Sequence, residues 1–326
     1  QSKTRKTCLL QVEGICRIKT DIIEMLYSEK VILDGKRTEQ DVAFSVERAA
    51  RINSLMERKI FNEEFIRELQ QRTPYSEIES CYTFIVKTIM SRANRFETIK
   101  GKNYHVIVTG ELSLKNDTVN DEVFIVLGWP LIKFIDLLNT NALCSSSYDE
   151  HFNDSSAVLA AYLNKFRYNQ SVNLFSSLYP LSAFKKEQYQ LLMMLQQIQT
   201  VFILSHELGH LLHPDITGLH GEILSDSDGI QAVYDYTFGN QKLNFYIVIA
   251  IMMLFSYLSL ADVTTKATYK EKTTAWDNWM DRYDSVYKSL SALELSDKQM
   301  ALVAGYEKLC GNLDRLCWND IDSSEA

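Results

Sequence analysis

Two histidines four residues apart, His206 and His210, enclose Glu207 in the string Ser205-His206-Glu207-Leu208-Gly209-His210. On a helix, residues four apart share a face, so both imidazoles can reach one metal ion. Glu207 is turned from that face by about 100°, which sets its carboxylate beside the metal, where it can take a proton from water. The HExxH spacing carries this meaning only on a helix. The apolar run ahead of it (Leu191, Leu192, Leu195, Ile198, Phe202, Ile203) predicts a helix over residues 187–212. Downstream, Glu222 and Asp226 are again four apart, at what reads as the start of a second helix over residues 222–236. Glu222 as third ligand completes a set of two histidines and one carboxylate suited to Zn2+, with one position left open. Asp226, one turn on, can accept from the far nitrogen of a ligand histidine, His206 first, and so fix its tautomer. Alone, two acids at a helix start are also explained by the helix dipole. Beside HExxH, the ligand reading is the stronger.

Of six histidines in the chain, two more lie close by. His213 is seven residues after His206, on the same side of the helix at its end, where capping the terminus or touching substrate is expected. His220 falls in an expected turn over residues 218–221, just before Glu222, a place for a surface histidine or one supporting the site. The extended metzincin pattern needs glycine at 213 and histidine at 216; the chain has His213 and Ile216, so that class is disfavoured. Peptide hydrolysis also needs donors for the developing oxyanion, and Tyr234, Tyr236, Arg282 and Tyr283 are the downstream candidates.

The two halves of this block resemble the gluzincin branch of zinc metallopeptidases, typified by thermolysin, which pairs HExxH with a downstream Glu-x-x-x-Asp. The resemblance implies His206, His210 and Glu222 as zinc ligands, Glu207 as general base and Asp226 as the residue that orients a ligand histidine. The wider layout is strands, a Gly128-Trp129-Pro130 break, a long helix ending in HExxH, then the Glu/Asp helix. It is similar to that of the bacterial phage-exclusion proteases, cytoplasmic enzymes that cleave a translation elongation factor. The likeness rests on the motif segment and the layout and leaves residues 1–100 uncovered. One departure is the link between His210 and Glu222, residues 211–221, which is tighter than in thermolysin. Pro214, Gly218 and Gly221 make so short a reversal feasible.

The elements that must position these residues are mostly helical. Residues 39–69 and 77–98 read as helices around a turn at 73–76. Residues 104–108 and 122–127 read as strands joined by a polar, hairpin-like link over 112–121. Helical spacing resumes over 131–138, with Pro130 in the first turn. Residues 139–156 form the most loop-like stretch, a candidate boundary or active-site surround. Residues 245–261 carry no charge; a buried core helix is expected, a membrane-embedded one being the alternative, since the length is at the short limit for spanning. Helices are expected again over 272–290, with Trp276, Trp279 and Tyr283 packing inward, and over 297–309. The fold class is α+β, mostly helical, with a small sheet preceding the HExxH helix. The expected division is a helical N-terminal region, 1–100, and a zinc metallopeptidase domain, 101–326.

Composition narrows the partners. With 46% hydrophobic and 23% charged residues in 326, the chain is not disordered. A net charge of -8 does not favour a nucleic-acid binder, which usually shows a basic footprint. Six cysteines without a CxxC pair read as free thiols in a reducing, cytoplasmic compartment; no signal peptide is visible. Asn-x-Ser/Thr triplets at Asn116, Asn153 and Asn169 carry no weight by themselves. The expected function is a zinc-dependent endopeptidase acting on a protein or peptide. The alternatives are a non-catalytic metal-binding scaffold and a membrane-associated zinc protease.

Overall fold

The computed structural model describes residues 75–109, 114–119, 121–144 and 186–325. Helices dominate, at 78% of the interpretable residues, around one three-stranded sheet, as the sequence led us to expect. The expected helix over 39–69 lies outside the described residues.

Helix α1 (Ser76–Arg92) buries Ile78, Cys81, Tyr82, Ile85, Val86, Ile89 and Met90, a stripe at helical spacing. It stops short of the expected residue 98, because Ala93 turns extended and a 3-10 helix, Asn94–Ile99, follows. Strand β1 (Asn103–Thr109) comes next, then β2 (Leu114–Val119) and β3 (Glu122–Gly128). The sheet order is β1-β3-β2, with β1 parallel and β2 antiparallel to β3. The polar link between two expected strands is therefore a strand itself, and the hairpin joins β2 to β3. On the outer edge of β1, the Val106 N–H donates to Thr83 Oγ1 at 3.1 Å and the Val108 N–H to Glu79 Oε1 at 2.9 Å. Side chains of α1 thus cover one edge of the sheet, and among the described residues β2 is the other.

Helix α2 (Trp129–Cys144) runs past the expected residue 138. Asn139, expected in a loop, is buried and shares reciprocal amide hydrogen bonds with Gln199 of 2.6 and 3.3 Å. Residues 145–156 lie outside the described residues. The long helix α3 (Lys186–Leu212) carries HExxH in its last turns. After α4 (Gly218–Tyr236), a 3-10 turn (Gln241–Leu243) leads into α5 (Asn244–Thr265). Helix α6 (Tyr269–Leu290) opens on a capping box between Thr268 and Glu271, and α7 (Asp297–Glu325) extends well beyond residue 309.

Helix α5 is long and apolar enough to cross a membrane, yet 83% of its most apolar window is buried. Contacts with α2, α3, α6 and α7 use its apolar surface inside the protein. Residues 75–99, assigned by sequence to the N-terminal region, join the same hydrophobic core as α3 and α5.

Candidate metal centre

The centre is assembled where α3 meets α4. Helix α3 ends at Leu212, and residues 213–217 reverse the chain. Thr217 is extended and Gly218 takes a φ of +67°, a conformation that costs glycine little and other residues much. Helix α4 therefore begins at Gly218, a turn earlier than the sequence suggested. His220 and Glu222 lie on the helix rather than in a turn or at its start, so the dipole explanation for Glu222 is removed. The helices then touch closely: a Cβ on Gly209 would sit 2.9 Å from the Ser225 Cα. Gly209, the fourth residue of HExxH, is thus the contact that brings α4 to the histidines.

Three side chains converge there. His206 Nε2 and His210 Nε2 are 3.0 Å apart. Glu222 Oε2 is 3.4 Å from His206 Nε2, and its Oε1 is 3.5 Å from His210 Nε2. Ligands bound at about 2.0–2.2 Å to one tetrahedral ion stand roughly 3.3–3.6 Å apart; both Glu222 distances fit that range, and the two imidazoles must part by about 0.3 Å to reach it. The other nitrogens are also engaged. His206 Nδ1 lies 2.9 Å from Asp226 Oδ1, and His210 Nδ1 is 3.0 Å from Ser225 Oγ. With a proton held on each Nδ1, the Nε2 lone pairs would face the shared point once a bound cation displaced any proton there. Asp226 thus faces the far nitrogen of His206; Ser225, between Glu222 and Asp226, was not singled out from the sequence.

Arg282 of α6 closes the centre. Its Nε and Nη2 each donate to Asp226 at 2.8 Å, and Nη1 lies 2.9 Å from Glu222 Oε2. The guanidinium stacks over Trp279, 4.2 Å from the ring centroid. With its nitrogens committed to carboxylates, Arg282 is a clamp rather than the oxyanion donor considered from sequence. Tyr234, Tyr236 and Tyr283 do not line the cavity at the centre.

Glu207 is buried, and its carboxylate is held from outside α3. Asn116 Nδ2 of β2 donates to Glu207 Oε2 at 2.7 Å and to the Glu207 carbonyl at 3.0 Å. In sequence Asn116 was only the head of a glycosylation triplet inside an expected loop; here its side chain faces the HExxH helix.

The electrostatics follow from burial against partners. Burial alone would lower the His206 pKa, but Asp226 and Glu222 outweigh it and raise it to about 9. Burial and the neighbouring His206 lower that of His210. Glu222 sits at about 2, because His206 and Arg282 overcome its desolvation. Asp226 is lowered against its burial by His206 and Arg282. Glu207 goes the other way: burial raises it, against His206 and Asn116.

The remaining sequence candidates lie apart. His213, just past α3, places Nε2 3.0 Å from Asp228 Oδ2 of α4, and Asp228 is also paired with Arg95. His213 thus fastens the reversal to α4 and the 3-10 helix. His220 is exposed and is not among the residues lining the cavity. That cavity, of about 460 Å3, is lined by His206, Glu207, His210 and Glu222. Leu131, Phe202, Ile203, Leu258 and Ala261 give it an apolar wall. Comparison with protein-family models, curated proteins and solved structures gives no match, so function is argued from this geometry.

Proposed function

We propose that the chain is a zinc-dependent endopeptidase, with His206, His210 and Glu222 holding the ion and Glu207 as general base. The observation that carries this reading is the convergence of two imidazole nitrogens and one carboxylate within 4.8 Å of one another, beside a buried carboxylate that is not one of the three. A scaffold needs the three donors; it has no use for the fourth group. The donor set of nitrogen and oxygen without thiolate suits zinc. A divalent ion there supplies Lewis acidity, lowering the pKa of water and polarising a carbonyl.

The chain's own groups account for the rest. Glu207 takes a proton from the attacking water and passes it to the departing amide nitrogen. Its burial, by raising its pKa, favours the first transfer without preventing the second. Asp226 and Ser225 keep the imidazoles oriented, and Arg282 offsets the charge of Glu222 and Asp226. Strand β2 lies at the sheet edge beside α3, so an extended peptide can add to it, with an apolar side chain against the Leu131, Phe202 and Leu258 wall. Cys81 and Cys310 are buried and in no disulfide among the described residues, and a reducing, cytoplasmic setting is part of the proposal.

The test is digestion of fluorescein-labelled casein by wild type and by Glu207→Gln. Turnover should fall by about 10²–10⁴ in the variant while zinc content is kept. Equal digestion by both proteins would remove the peptidase reading, and a metal-loaded wild type without activity would favour the scaffold.

A further inference from the structure

The contact between β2 and the HExxH helix has a feature that metal binding alone does not require. The two Asn116 hydrogen bonds, 2.7 Å to Oε2 and 3.0 Å to the main-chain carbonyl, end on one residue, Glu207. One carboxamide offers two N–H groups, so a single side chain can fix both the backbone and the carboxylate of the proposed base. Asn116 faces Ile125 in the β2–β3 register, and that pairing holds its position along the strand. Glu207 itself is 3% exposed, and a carboxylate without a donor at that depth is costly.

We propose that Asn116 is a positioning residue for Glu207. It occupies Oε2 and leaves Oε1 as the atom that exchanges the proton. The inference rests on the peptidase reading above. In the step concerned, an O–H bond of water breaks as the proton goes to Oε1, and the same proton then forms the N–H bond of the leaving amine. A carboxamide does not ionise, so Oε2 faces a donor throughout and the proton goes to the free oxygen. A base that can rotate would lose this registration, and catalysis is sensitive to such misplacement. The same side chain ties the sheet edge to the base, so the strand that receives the peptide and the group that moves the proton keep one spacing.

The sharp variant is Asn116→Asp, which preserves shape and replaces the donor by an acceptor. In the zinc-loaded protein, with fluorescein-casein as probe, kcat should fall by roughly 10- to 100-fold, a part of what a general base supplies. KM should stay within about twofold and zinc content should be unchanged. The second readout needs no activity. In metal-free protein, Asn116→Asp sets two carboxylates against each other, whereas Asn116→Asp with Glu207→Gln exchanges donor and acceptor and restores the pair. The double variant should unfold with an equilibrium constant lower than that of Asn116→Asp by roughly 10-fold or more. Wild-type kcat in Asn116→Asp, beside an inactive Glu207→Gln, would overturn the proposal and leave the peptidase reading intact. Strictly additive unfolding in the cycle would overturn it as well. If wild type cuts no casein, the peptidase reading falls and takes the catalytic role with it, and the cycle still decides whether the clamp exists.

Discussion

Replacing Arg282 with Met keeps most of the aliphatic stem and removes the charge that two carboxylates share. Glu222 and Asp226 are both paired with the one guanidinium, and Asp226, at 1% side-chain exposure, depends on it most. Removing one partner of a buried, hydrogen-bonded ion pair typically costs about 3–5 kcal/mol. The Glu222 arm adds little, because that side chain is 36% exposed and solvent screens it. The stacking on Trp279 contributes up to about 1 kcal/mol more. Urea unfolding of metal-free Arg282→Met should therefore show a loss of about 3–6 kcal/mol against wild type. With zinc in excess the gap should narrow, since a divalent ion at Glu222 supplies positive charge to the same carboxylates. A metal-free loss below about 1 kcal/mol, or an equal loss with and without zinc, would refute the neutralising role given to Arg282.

Two further substitutions separate the parts of the centre. Gly209→Ala puts a methyl 2.9 Å from the Ser225 Cα, so overpacking should cost about 1–3 kcal/mol; zinc content should drop as α4 is pushed away, which unfolding and metal analysis can check together. His213→Ala leaves buried Asp228 with Arg95 and should destabilise by about 1–3 kcal/mol at unchanged zinc content, whereas loss of zinc would make His213 part of the centre.

What could be read from the sequence was whatever depends on spacing along one helix. His206, His210 and the face shared by Glu222 and Asp226 follow from a period of about 3.6 residues. The helix carrying HExxH was also evident, since its apolar run is long. Contacts between distant segments were not legible. The segment Leu114-Lys115-Asn116-Asp117-Thr118-Val119 is polar and reads as a loop; it is a strand because β3 pairs with it, a context that overrides local preference. Asn116 could not be assigned to Glu207 before that strand existed. The early start of α4 was hidden because Gly218 looks like a turn residue, and the fate of Arg282 depended on how α6 crosses α4. Asn139 misled in the same way: a polar residue in a Ser- and Asn-rich stretch was buried by pairing with Gln199.

The proposal stands or falls on whether His206, His210 and Glu222 hold a metal. The direct measurement is zinc content per chain, by elemental analysis, in wild type and in Glu222→Ala purified identically with zinc present. Wild type should hold about one zinc ion per chain and the variant far less, since a three-ligand site loses a third of its protein donors. Zinc-free wild type, or equal occupancy in the two proteins, would contradict the proposed centre.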